Sequence, residues 1–147
     1  MITITEMKAD HVRAVAELEK ICFSAPWSEN SISAELGSIW SYWLVALDGD
    51  KLVGYIGSQT SFDEADVMNV AVNPDCRRQG IAEKLIHTLV EDLTARGVRA
   101  LTLEVRASNA PAICLYEKLS FSQVGLRKNY YHNPKEDALI LRKEWEI

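Results

Sequence analysis

Apolar residues in this chain recur at two periods, and the order in which those periods alternate predicts its elements. Ile2 and Ile4 alternate with threonines as a short strand, and Asp10 is placed to cap a helix carrying Val12, Val15, Ala16 and Leu18. Ser28 is a second N-cap; Trp27 before it stands at the spacing of a hydrophobic staple to Ile32, and Gly37 is placed to end that helix. YWLVAL and KLVGYIGSQT read as two strands joined through Asp48-Gly49-Asp50, where Gly49 supplies the positive φ of a tight hairpin loop. DVMNVAV is a further strand, stopped at Asn73-Pro74 because proline lacks a ladder donor and restricts the residue before it.

The longest regular pattern starts near Gln79. Ile81, Ala82, Leu85, Ile86, Leu89, Val90 and Leu93 recur at helical spacing, and Gly97 just after Arg96 is a stop. In ALTLEVR the pattern returns to period two: Leu101, Leu103 and Val105 face one way, Thr102, Glu104 and Arg106 the other. Asn109 then caps a helix with Pro111 in its first turn and Ile113, Tyr116 and Leu119 along it, followed by the strand candidates FSQVGL and DALILRK. Strand, helix, strand, helix, strand is a βαβ pattern. The reading is a mixed α/β fold with an antiparallel N-terminal half, and with the strands ending near Val72 and starting near Leu101 as parallel neighbours.

Composition narrows the classes. A length of 147 residues suits one domain over residues 1–147, and 48% apolar with 25% charged residues excludes disordered, collagenous and low-complexity chains. No apolar run approaches the roughly 20 residues of a membrane span, and MITITEMKAD lacks the basic start and apolar core of a secretion signal, so the expectation is a cytoplasmic protein without a membrane partner. Cys22, Cys76 and Cys114 are too scattered for a disulfide framework, and neither they nor His11, His87 and His132 have metal-ligand spacing, so no metal is expected. A net charge of -5 argues against a broad nucleic-acid surface but leaves room for a local basic pocket. The acidic run Asp63-Glu64-Ala65-Asp66 reads as a solvated loop.

That pocket has a candidate. Arg77-Arg78-Gln79-Gly80-Ile81-Ala82 stands between a strand and the start of the long helix, where unpaired N–H groups and the positive end of the helix dipole suit a phosphate. The residues alone equally fit a solvated basic turn, since they match neither a P-loop nor a dinucleotide fingerprint. Here the sequence resembles a known family. Arg77-x-x-Gly80-x-Ala82 is similar to the signature of the GCN5-related N-acetyltransferases (GNAT), and LEVRASNAPAICLYEKLSF resembles their later strand, Asn-capped helix and Phe-led strand. Within the family the likeness is to the RimI-type alanine N-acetyltransferases, through PWS, MNVAVNP, LEVRASN and RKNYY before EDALIL. Three departures stand out: Ser120 where members usually carry glycine, Ala82 in a position more often filled by glycine, and His132 after the paired tyrosines.

The resemblance implies acetyl-CoA as co-substrate, its pyrophosphate on Arg77, Arg78, Gln79, Gly80, Ile81, Ala82 and Glu83, and its pantetheine arm and thioester carbonyl on the backbone of Val70, Ala71 and Val72. Asn109 is implied to bond the cofactor as well as cap its helix. Glu104 is implied as the proton acceptor, acting through an ordered water on an α-amine that is mostly protonated at neutral pH, and Tyr116 as the proton donor to the departing thiolate. Tyr130 and Tyr131, in a polar segment outside the regular elements, are implied to wall the substrate peptide. On residue type alone, Glu104 equally fits a solvated strand position, Tyr116 a core position, and both tyrosines the packing of a hairpin loop. The implied partner is a protein N-terminus, the alanine of a small-subunit ribosomal protein. Two rivals stay open: the same chemistry on a lysine, polyamine or small molecule, and an acyl-CoA-binding subunit without turnover.

Overall fold

The structure, a computed structural model, describes residues 1–146. Seven strands form one sheet: β1 (Ile2–Glu6), β2 (Ser41–Asp48), β3 (Lys51–Ser61), β4 (Glu64–Val72), β5 (Ala100–Arg106), β6 (Ser122–Tyr131) and β7 (Glu136–Glu144), in the order β1-β2-β3-β4-β5-β7-β6. Every neighbouring pair is antiparallel except β4 and β5, which are parallel. This is the mixed α/β architecture the periodicity predicts. The β2–β3 hairpin turns at Gly49 with φ +63°, a left-handed conformation that glycine adopts without steric cost.

Two apolar cores lie on opposite faces of the sheet because strand side chains alternate. Leu44 and Ala46 of β2 join Leu101 and Leu103 of β5 beneath the long helix α3 (Ile81–Ala95), whose Ile81, Leu85, Ile86, Leu89 and Leu93 are buried. Tyr116 and Leu119, from and just after α4 (Ala110–Lys118), complete that side. Trp43 and Val45, the intervening β2 residues, face Val12, Val15, Ala16 and Leu18 of α1 (Val12–Cys22) and Ile32 of α2 (Glu29–Glu35). Ser28 caps α2 as predicted, its hydroxyl accepting from Ser31 N–H at 3.0 Å. No helix among the described residues is long and apolar enough to cross a membrane.

Three expectations change. Asp10 does not cap α1: Ala9–His11 form a separate 3-10 turn, in which the Lys8 N–H donates to His11 Nδ1 at 2.9 Å. The acidic run is only in part a loop: Asp63 stands in the turn and pairs with Arg99 at 2.6 Å, while Glu64–Asp66 begin β4, Glu64 pairing with Arg142 at 2.7 Å. Tyr130 and Tyr131 are not outside the regular elements; they are the last two residues of β6, whose mostly exposed face hides its strand character from a periodicity reading. Ser120 keeps the turn after α4 by taking φ +73°, the left-handed value that a glycine would reach freely.

Candidate active site

The parallel pair is short. β4 and β5 are in register only from Glu64–Asp66 to Ala100–Thr102, after which β4 runs on to Val72 and β5 to Arg106 without pairing to each other. A sheet opened in the middle turns two rows of backbone N–H and C=O groups toward the gap, where an extended ligand arm can take the place of a strand. A bulge lies on the β4 side: Val67 pairs with Ser58 and Asn69 with Gly57, leaving Met68 as an extra residue. Bulges raise the local twist and re-aim their neighbours, so the candidate backbone donors Val70, Ala71 and Val72 follow the point where β4 changes direction.

Beyond β4 a cleft of about 300 Å³ opens between α3 and α4, lined by Val72, Cys76, Arg77, Arg78, Gly80, Ile81, Ala82 and Glu83 and, from α4, Pro111, Leu115 and Lys118. Arg78 and Gly80 are left-handed (φ +65° and +72°), which winds the loop so that α3 begins at Ile81. A Cβ built on Gly80 meets no protein atom within 4 Å, so no side chain covers this glycine. Neither Arg77 nor Arg78 forms an ion pair with a carboxylate among the described residues. Two uncommitted cations, a helix N-terminus and an open approach fit an anionic pyrophosphate. The one acidic group in that first turn, Glu83, is held by Lys118 at 3.0 Å across the cleft.

Seven of the eleven candidate cofactor residues therefore line this cleft, while Val70, Ala71, Gln79 and Asn109 do not. Asn109 caps α4, accepting from Ala112 N–H at 3.2 Å. Cys76, Pro111, Leu115 and Lys118 are lining residues that the sequence reading missed; the last three recur at i, i+4 and i+7 on one face of α4, a readable signal. Cys22 at the end of α1 is drawn to the same place, its thiol 3.8 Å from the Val72 carbonyl and 4.0 Å from Arg77 Nη2. Burial raises that thiol's pKa, against the lowering effect of Arg77.

Glu104 stands on β5 past the point where pairing with β4 ends. Its Oε2 lies 3.4 Å from Arg127 Nε, within ion-pair range but off hydrogen-bond geometry, so this buried oxygen has no hydrogen-bond partner. Tyr116 is buried, its ring edge-on to Phe121 at 5.7 Å, and its phenol is pushed up to about 12, chiefly by burial and further by Tyr131. Tyr131 is likewise pushed up to about 12, by burial and then by the Glu104 charge; Tyr130, edge-on to Tyr131 at 5.1 Å, is raised by the same two causes. The influence of Glu104 on Tyr131, and of Tyr131 on Tyr116, places all three in one electrostatic neighbourhood. A phenol this weakly acidic stays protonated throughout the physiological range.

A buried polar node was missed as well. Glu19 of α1 is wholly buried: Oε1 accepts from Trp27 N–H at 2.8 Å, Oε2 from Asn69 Nδ2 at 2.6 Å and from the Tyr55 hydroxyl. Burial raises its pKa against the opposing effect of those donors. Asn69 turns its other end, Oδ1, to the N–H of Val70 at 3.3 Å. Among the described residues no group of three or more His, Cys, Asp or Glu gathers that could hold a metal ion.

Residues 12–121 match the acetyltransferase (GNAT) family, to which the chain belongs. It is a GNAT acyltransferase. Over 143 residues it is 38% identical to the [ribosomal protein bS18]-alanine N-acetyltransferase of Escherichia coli (strain K12), covering 96% of each chain. The crystal structure of the ribosomal-protein-S18-alanine N-acetyltransferase from Escherichia coli superposes with a TM-score of 0.92 at 35% identity, covering 100% of this chain and 96% of that one. Arabidopsis thaliana NAA60 in complex with acetyl-CoA shares the fold, with a TM-score of 0.87 at 18% identity over 98% of each chain.

Proposed function

We propose that this chain transfers the acetyl group of acetyl-CoA to the α-amine of a protein N-terminus in the cytoplasm, with the N-terminal alanine of ribosomal protein bS18 as its substrate. The observation that carries the reading is the unpaired stretch of β4 and β5, with Glu104 on one side and the arginine-lined cleft at its end. The near full-length similarity to bS18-alanine N-acetyltransferases supports the substrate.

Acetyl-CoA supplies the activated acyl group. The first-turn amides of α3 with Arg77 and Arg78 hold its pyrophosphate, and the edge of β4 from Val70 to Val72 takes its arm by strand-like hydrogen bonds. A backbone N–H of the Val70–Val72 run polarises the carbonyl that is attacked. Glu104 removes a proton from the substrate ammonium through one water, since an α-amine with a pKa of about 7.7–8.0 is mostly charged at neutral pH. The neutral amine adds to the carbonyl to form the N–C bond; as the tetrahedral adduct collapses and the C–S bond breaks, the nitrogen sheds its second proton to solvent and the departing sulfur takes one from Tyr116, which solvent then reprotonates. With a phenol at about 12 against a thiol of about 8.5, that transfer is uphill in water, so it depends on the buried hydroxyl being placed at the sulfur. Tyr130 and Tyr131 wall the peptide, and Asn109 bonds the cofactor while capping α4.

The test is transfer from acetyl-CoA to a synthetic peptide with the N-terminal sequence of a bacterial bS18, localised by tandem mass spectrometry. One acetyl group on the first residue is expected. Transfer to polyamines or aminoglycosides with none to the peptide would replace the reading.

A further inference from the structure

Arg106, the last residue of β5, takes no part in these steps, yet its guanidinium is engaged on four sides. Nη1 donates to the Pro134 carbonyl at 2.9 Å and lies 3.3 Å from Glu136 Oε1; Nη2 donates to the His132 carbonyl at 3.2 Å. Its plane stands over the Tyr131 ring, 4.4 Å from the ring centre. Glu136 passes the tie onward, its Oε2 accepting from Ser108 N–H at 2.5 Å just ahead of the Asn109 cap. With side chains 28% and 17% exposed, Arg106 and Glu136 are less screened than a surface pair.

β6 and β7 are antiparallel partners, so closing their turn does not require this tie. The ladder, however, fails where it matters: register is broken between Arg127 and Tyr131, and Asn129 is left-handed at φ +54°. Pairing resumes only at Tyr131 with Glu136, which fixes the Tyr131 backbone but not the ring beyond its Cβ, and the guanidinium over that ring supplies the remaining constraint. We infer that Arg106, braced by Glu136, is a positioning residue that fixes Tyr131 in the peptide wall and so sets affinity for the acceptor peptide rather than the rate of transfer. This rests on the reading of Tyr131 as part of that wall. Arginine is needed because its planar fork reaches two carbonyls, a carboxylate and a ring face together, whereas lysine offers one compact charge.

The test is steady-state kinetics on an alanine-first peptide for Arg106→Lys, Tyr131→Ala and the double variant. Arg106→Lys should raise the peptide KM about tenfold while kcat and the acetyl-CoA KM stay within about twofold. If the arginine acts through the ring, the double variant should be no worse than Tyr131→Ala alone. An unchanged peptide KM in Arg106→Lys beside a raised one in Tyr131→Ala overturns the inference and leaves the wall standing. Additive losses, or a joint fall in kcat and in affinity for both substrates, reduce Arg106 to a fold-holding residue. If Tyr131→Ala leaves the peptide KM unchanged, wall and inference fall together.

Discussion

Glu104→Gln exchanges one carboxylate oxygen for an amide nitrogen at nearly constant shape, so it separates basicity from packing. Its stability effect should be small. The contact to Arg127 joins side chains that are 29% and 56% exposed, and such half-solvated pairs are worth about 0–1 kcal/mol. Because Oε2 has no hydrogen-bond partner, the exchange strands no donor. A loss of about 1 kcal/mol corresponds to a Tm lowered by about 2–4 °C in a chain of this size. Loss of a positioned general base, by contrast, lowers kcat by about 100-fold or more, equivalent to about 2.7 kcal/mol. Partial unfolding of a slightly weakened protein cannot supply that difference. The assay is acetylation of an alanine-first peptide by the wild type and the variant at pH 7 and pH 9. With an amine pKa of about 7.7–8.0, roughly a tenth of the amine is neutral at the lower pH and roughly nine-tenths at the higher. The deficit should therefore narrow by roughly tenfold as the solvent takes over deprotonation. The same deficit at both pH values would remove Glu104 as the base.

Three further outcomes follow from the backbone and from the buried node. Gly80→Ala forces a side chain into φ +72° at a residue that lines the cleft, which should lower Tm by about 2–4 °C for about 1 kcal/mol. In thermal shift assays acetyl-CoA should protect this variant less than the wild type, and equal protection would take the loop out of the phosphate site. Ser120→Gly relieves the strain of φ +73° and should raise Tm by about 2–4 °C; a lower Tm would show that the serine is not strained there. For Glu19 the folded pKa lies above that of a free glutamate, so the burial penalty is absent below the free value, grows as pH rises past it and is complete above the folded value. Melting Glu19→Gln beside the wild type from pH 4 to 7 should accordingly show the wild type losing ground as pH rises. A flat difference would mean that Trp27, Asn69 and Tyr55 fully offset the burial.

The elements and their order were readable because each carries its own punctuation: Ser28 and Asn109 as caps, Gly49 at a left-handed turn, Gly97 as a helix stop, Asn73-Pro74 as a strand stop. The βαβ centre was legible too, but the way β4 and β5 part after three paired residues was not. Nothing in DVMNVAV marks the bulge at Met68, since no glycine or proline stands there and the residues suit a regular strand equally well. The first half of β6 was legible as FSQVGL, but its second half escaped because this edge strand has little burial to alternate, so Tyr130 and Tyr131 read as loop. Glu19 left a trace: it follows Val12, Val15 and Ala16 at i, i+3, i+4 and i+7, a glutamate on the stripe that faces the core. What such a position does depends on Tyr55 and Asn69 arriving from distant strands, which a one-dimensional pattern does not contain.

The central claim is that the group acetylated is a protein's α-amine. Two peptides settle it, identical in sequence, each beginning with alanine and carrying one internal lysine, one with a free α-amine and one with that amine formylated. Incubated with the protein and acetyl-CoA and read by mass spectrometry, the free peptide should gain one acetyl group on its first residue and the formylated peptide none. Undiminished acetylation of the formylated peptide on its lysine would contradict the claim.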